Sequence, residues 1–410
     1  MSTQKADGSL LFETKVDEKG FDSGVKKLGG IAAKGMAAVG ASIVAAGTAV
    51  AGLGAAAIRV GIEFESAFAG VKKTVDASDE QLSALHDGLI DLSKEIPVTA
   101  AGLSAIAESA GQLGIDVDNI EEFTATMADL SVATNLTAEE AATSFARFAN
   151  IVGMSQENFD RLGSVVVALG NNLATTEAEI TAMAMRIAGA GSQVGLTEAQ
   201  IMAFSSALSS VGIEAEAGGT AFSTLISKMS LAVAQGGAAL TDFSDVAGMT
   251  GDEFREAFEQ DAGQAILSFI QGLARINDEG GSAIKTLDDI GLSDIRMRDA
   301  LLRASGASDV FAEALDIANT AWDENIALSK EAEQRYKTME SRLQMLKNSV
   351  SALGIAIYES TDEGLGSAVD LAMGWVDELT QAFSSGGTRG LVLAAGDIMA
   401  DMVSVLAEKS

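Results

Sequence analysis

Beyond residue 63 the apolar positions recur at intervals of three and four, the spacing of one face of a helix, and alternate-residue patterning typical of strands is rare. Three stretches share one template. Gly114-Ile115, Gly153-Met154 and Gly195-Leu196 each precede apolar residues at offsets of +6, +9, +13 and +16. These are Ile120, Phe123, Met127 and Leu130, then Phe159, Leu162, Val166 and Leu169, then Ile201, Phe204, Leu208 and Val211. Gln112 and Gln193 precede the first and third glycine at the same offset. A glycine ending a helix in the left-handed region, an apolar residue folding back on the last turn and a polar cap opening the next helix account for the pattern.

The template starts lie 39 and 42 residues apart, which predicts helical hairpin units of about 40 residues. Thr137-x-x-Glu140, Thr176-x-x-Glu179, Thr197-x-x-Gln200 and Thr250-x-x-Glu253 match the capping box, in which paired side chains satisfy N–H groups at a helix start. Gly248-Met249-Thr250 and Gly291-Leu292-Ser293 repeat the punctuation without the full apolar spacing. The array therefore reads either as a stacked solenoid or as a helical bundle with an inexact period.

Further on, Tyr336, Met339, Leu343, Leu346, Val350, Leu353 and Ile357 alternate spacings of three and four without a miss. They predict a heptad seam on one long coiled-coil-like helix spanning about residues 308–360. A shorter seam at Leu82, Leu85, Leu89, Leu92 and Ile96 reads as ordinary core packing. The fold class is all-α, with a segment order of 1–34 (N-terminal, with a short strand at 10–16), 35–62 (an Ala/Gly-rich hydrophobic helix), 63–235 (a helical core), 236–306 (a helical extension), 307–360 (the long helix) and 361–410 (C-terminal helices).

Residues 35–58 carry no charge, and 24 residues suffice to cross a bilayer core of about 30 Å as a helix. Fifteen of them are Gly or Ala, which contribute little transfer energy but permit close helix packing. A membrane-active span and a buried Ala/Gly-packed helix in an oligomer both fit. A signal peptide does not, because the preceding thirty-odd residues are too long and contain acids.

Composition sharpens this picture. One proline and 5% aromatics in 410 residues leave few helix breakers and few strand formers. Lys and Arg total 27 against 58 Asp and Glu, a net charge of −31, so a sequence-independent grip on nucleic-acid phosphates, which needs clustered cations, has no support and no specific nucleic-acid binding is expected. The absence of cysteine fits folding in a reducing cytoplasm and excludes thiol chemistry.

No catalytic, cofactor-binding or metal site is expected. The sole histidine, His86, stands between Leu85 and Leu89 as a packing or surface residue without a partner nucleophile. Glu121-Glu122 and Asp288-Asp289 read as solvated acids, and Asp116-x-Asp118 is too sparse for a calcium loop. Gly52-x-Gly54 lies in an apolar run without a preceding strand, so it is no nucleotide loop. Trp322 and Trp375 fall on helical faces, as core residues do.

The stretch FESAFAGVKKTVDASDEQLSALHDGLIDLSKEIPVTAAGLSAIAESAGQLGID, with EEFTATMADLSVATNLTAEEAATSFA and GSQVGLTEAQIMAFSSALSSVGI after it, resembles the core of tail tape measure proteins of long-tailed bacteriophages and prophages. The resemblance covers about residues 64–229, and the later MESRLQMLKNSVSALGIAI also resembles the helix that follows such cores. It implies a virion component inside the tail tube, made in the bacterial cytoplasm, that sets tail length and helps conduct DNA through the host envelope. Implied partners are the tail tube protein, tail assembly chaperones, baseplate or tail tip proteins, further copies of itself and, transiently, the host membrane. Members are often much longer, and 410 helical residues reach at most about 615 Å. A truncated piece or a short member lacking most of the ruler is therefore expected. Two competing readings are a membrane-active, pore-forming or toxin-like helical protein, and a helical scaffold that binds proteins through its seams.

Overall fold

Each template glycine ends a helix as the pattern requires. Gly114, Gly153 and Gly195 have φ of 81°, 74° and 79°, a conformation that costs a side chain energy and glycine almost none. The next residue turns back to donate to the carbonyl five positions earlier: Ile115 to Ala110, Met154 to Ala149 and Leu196 to Gly191, all at 3.0 Å. Gly248 and Gly291 close the same motif, with Met249 bonded to Ser244 and Leu292 to Leu287. The four threonine capping boxes form with both reciprocal bonds, and a fifth box forms at Ser78 with Gln81.

The computed structural model describes residues 49–359 of the 410. The described residues form seventeen α-helices, one 3-10 turn at Gln156–Asn158 and no strand. In chain order they are α1 (Ala49–Thr74), α2 (Asp79–Glu95), α3 (Ala100–Gln112), α4 (Val117–Ala133), α5 (Ala138–Val152), α6 (Phe159–Asn172), α7 (Glu177–Gln193), α8 (Glu198–Ser210) and α9 (Ala215–Gln235). There follow α10 (Gly237–Ala247), α11 (Gly251–Gln260), α12 (Ala262–Asp278), α13 (Ala283–Asp289), α14 (Ile295–Gly306), α15 (Ser308–Glu324), α16 (Ala327–Tyr336) and α17 (Met339–Glu359). The fold is all-α. The expected strand at 10–16, most of the apolar 35–58 run, Trp375 and the 361–410 tail lie outside the described residues.

The chain divides into a unit of Val60–Ile355, treated below, and a second of Met1–Arg59 with Ala356–Ser410, of which 49–59 and 356–359 are described, as helix. Within Val60–Ile355, eleven of the twelve template positions are buried; Val211, the residue capping α8, is half-buried. The template helices are α4, α6 and α8, and their apolar faces join one contiguous core that runs from Phe64 to Ile355. Phe123 meets Phe159 edge-on at 4.7 Å between ring centres, linking the first template helix to the second. Close helix approach uses glycine as well: a Cβ on Gly272 of α12 would lie 1.8 Å from the Val246 carbonyl oxygen of α10.

The single helix expected over 308–360 is corrected to three. Asn325 adopts the left-handed conformation, φ 50°, and ends α15; a second break at Lys337-Thr338 separates α16 from α17. Contacts with helices far upstream outweigh the continuity of the apolar seam. The heptad positions are not covered as a coiled coil either: Met339, Leu343, Leu346 and Val350 are exposed, while Asn348, Ala352 and Ile355 on another face of α17 are buried.

Candidate functional site: a return arm clasped onto the repeat

After α14 the chain reverses and runs back along the repeat. Helix α15 packs on α8 and α6, and α16 packs on α6 and α4, so the arm passes the template helices in reverse order. Its apolar contribution is Phe311, Ala314, Leu315, Ala318 and Ala321 from α15, with Leu328 and Ala332 from α16. Phe311 lies 6.3 Å from Phe204, centre to centre. Leu328 fills the notch at Gly163 of α6, where an added Cβ would stand 2.8 Å from the leucine Cδ2.

Three polar clasps pin the arm, two at its bends and one midway along α17. At the first, Asn325 donates through Nδ2 to Asp160, and its Oδ1 accepts from Ser164 Oγ at 3.0 Å. Arg161 Nη1 donates to the Trp322 carbonyl at 2.6 Å, which satisfies an end of α15 that has no further helical turn to pair with. Asp160, Arg161 and Ser164 all lie on α6, so one turn of that helix fixes the whole α15–α16 corner.

At the second clasp, the Tyr336 hydroxyl donates to Asp129 of α4. Burial pushes the Asp129 carboxyl above its ordinary range, and the tyrosine hydrogen bond pulls partly the other way. Burial, followed by the Asp129 charge, raises the Tyr336 phenol well beyond its ordinary value, so it stays a donor. At the third, Asn348 of α17 donates through Nδ2 to the carbonyls of Ser93 and Val98, both at 2.8 Å, and lies 3.3 Å from that of Ile96. Its Oδ1 accepts from Gln344 Nε2 at 2.8 Å, which sets the direction of the amide.

Apart from Tyr336, read only as a seam position, and Trp322, read as a core residue on a helical face, these residues were not singled out in the sequence. The available signal was Asn325, one of the few residue types other than glycine that tolerates the left-handed region, placed inside an otherwise helical stretch. The residues that were singled out are dispersed. His86 rests against Phe64 and Phe68, 4.9 and 5.0 Å between ring centres, with Nδ1 2.9 Å from Asp87. Glu121 lies over Gly88, where an added Cβ would meet its carboxylate, and Trp322 is half-buried against the core.

Glu122 is raised above the usual carboxylate range by burial and then by the neighbouring Asp160 and Glu157 charges. Among the described residues, no group of three or more His, Asp or Glu side chains is placed to hold a metal ion, and no helix is long and apolar enough to cross a membrane. The clasps position no nucleophile beside a base. What the arrangement can do chemically is hold an arm closed by hydrogen bonds that water can replace.

Comparison with known proteins gives the repeat a context. Residues 86–287, which include all three template units, match the family of phage-related minor tail proteins. The chain is 28% identical over 371 residues to a probable tape measure protein of Clostridium phage phiCD119, covering 86% of this chain and 37% of that relative. The chain thus spans little more than a third of the relative's length. No solved structure matches it. With a glycine-punctuated helical repeat at the centre of the matched region, the chain is similar to phage tail proteins, a minor tail protein family and a probable tape measure protein among them.

Proposed function

We propose that the chain acts as a structural component of a phage tail, lying in the tail tube lumen and taking part in assembly and length determination. The observation that carries this reading is the likeness to a tape measure protein across 86% of the chain. The fold is consistent with it. A body with net charge −31 does not trap DNA passing along the same lumen, and buried packing in place of an assembled reactive centre suits a mechanical and not a catalytic role.

Extension along a tube requires the hairpins to open and the return arm to leave the repeat, which exposes the apolar side chains of α15 and α16 as well as breaking its clasps. Its three clasps are hydrogen bonds, each exchangeable for bonds to water at a net cost of about 0.5–1.5 kcal/mol, more where a charge takes part. Tail tube subunits, assembly chaperones and baseplate or tip proteins are the partners this role calls for. Passage of the 35–58 segment into the host envelope during DNA ejection belongs to the same proposal. The alternative of a free pore-forming or toxin-like protein is not favoured, since both likenesses are to tail proteins.

The test is genetic. In-frame deletions within 309–360 of the phage-encoded protein shorten the tails seen by electron microscopy in proportion to the residues removed. Tails of unchanged length refute a ruler role for this segment; tail-less lysates from every deletion, with the protein stable, point to an assembly role without measurement.

A further inference from the structure

The two outer helices of the arm carry their own local support. Thr338 Oγ1 accepts from the Ser341 N–H at 3.2 Å and caps the start of α17. Along α16 the ion pairs Glu331–Arg335 and Glu333–Lys337, 3.5 and 3.6 Å, each span one turn. Their attachment to the rest of the chain is slight. Helix α16 buries Leu328 and Ala332, and α17 buries Ala352 and Ile355, with one polar clasp apiece at Tyr336 and Asn348.

Helix α15 is held differently. It packs on α6, α8, α12 and α14 and buries Phe311, Ala314, Leu315, Ala318 and Ala321. It ends in the corner that Asp160, Arg161 and Ser164 fix. Because the apolar area returned to water sets the cost of opening, that cost rises steeply at Asn325.

We propose that residues 326–355 form a strap that opens in nested steps while the remainder stays folded: α17 first, then α16, with Asn325 as the stop. Connectivity sets the order. Helix α17 can swing out at the Lys337-Thr338 break and leave α16 in place, whereas freeing α16 with α17 still docked closes a loop held at both ends, at an entropic cost. The bonds of Asn325 set the stop, since they run to α6 and survive the departure of α16. The strap is a property of the isolated chain and does not depend on the tail reading.

A chain without cysteine accepts a single introduced thiol as a reporter. Ala352→Cys, Ala332→Cys and Ala318→Cys place one at a buried position on α17, α16 and α15 in turn. Each full-length variant is labelled with an aromatic disulfide reagent at urea concentrations below the unfolding midpoint. Protection is expected to rise about tenfold or more from position 352 to 332, and again from 332 to 318. Its urea slope rises in the same order and reaches that of global unfolding, followed by circular dichroism, at position 318 only. Tyr336→Phe, combined with each reporter, lowers protection at position 332 about tenfold and leaves 352 within about twofold, because α17 opens without breaking that bond. Hydrogen exchange of the unsubstituted chain, read over 311–321, 328–335 and 345–355, gives the same ranking free of any disturbance from the thiols.

One protection and one slope at all three positions overturn the proposal, since the arm then opens only with the whole molecule. The global slope at position 332 moves the stop to Thr338, and the slope of 332 found at 318 removes it; either overturns the assignment of Asn325. Equal losses at 352 and 332 in the Tyr336→Phe background overturn the order.

Discussion

Replacing Asn348 with alanine tests whether α17 is held by its clasp. The side chain makes two short bonds, to the Ser93 and Val98 carbonyls; the Ile96 carbonyl already accepts from Val98 N–H at 2.8 Å, so it loses little. Asn348 is 2% exposed, and truncation leaves two carbonyls facing a void instead of a donor. At about 1–2 kcal/mol for each bond lost with its partner left buried, docking of α17 weakens by about 2–4 kcal/mol. Native-state hydrogen exchange reads this as a drop of about 30- to 1,000-fold in protection of the amides of residues 345–355, with α7 and α12 unchanged.

Asn348→Asp sharpens the test. At neutral pH it sets a carboxylate 2.8 Å from two carbonyl oxygens, a repulsion that the alanine variant lacks, so it undocks α17 further. Acidification protonates that carboxyl and restores one donor, and the gap between the two variants closes. Protection within threefold of wild type for Asn348→Ala, or an aspartate variant no worse than alanine at neutral pH, refutes the clasp.

Three further outcomes follow from the same structure. Tyr336→Phe removes the donor that offsets burial of Asp129 and lowers stability in urea by about 1–3 kcal/mol near pH 7. Because a buried carboxyl raised above its unfolded value loses stability as pH climbs through the raised value, this deficit shrinks as pH falls through that raised value and Asp129 takes up a proton. Glu140 and Glu253 are lowered by bonds from the backbone N–H and then the hydroxyl of Thr137 and Thr250; their contribution is present above the unfolded value of 4.5 and lost as pH falls through the lowered one, so Glu140→Gln with Glu253→Gln flattens the acid limb of a melting-temperature profile. Gly272→Ala forces a methyl into the Val246 carbonyl and costs about 2–4 kcal/mol, whereas Gly189→Ala inside α7, where nothing lies within 4 Å, is neutral or stabilising by up to about 1 kcal/mol in chemical denaturation.

The helix starts and stops were legible in the sequence because their physics is local. A capping box closes over four residues, and a glycine turn returns its hydrogen bond over six, so Thr137, Gly153 and Thr197 state their roles without reference to the rest of the chain. The apolar offsets from each glycine marked the core for the same reason: helical periodicity tells which face is oily. The all-α class and the 40-residue unit follow from these signals alone.

Tertiary structure decided which oily face is covered and by what. Asn325 ends α15 because Asp160 and Ser164, more than 160 residues earlier, receive it; Tyr336 and Asn348 are held by partners about 200 and 250 residues away. Nothing near them in the sequence encodes those distances, and an uninterrupted heptad reads as one helix until such contacts compete with it. The seam on α17 was visible from its spacing, but its exposure was not, since periodicity reports that a face is apolar and only packing reports whether the chain itself covers it.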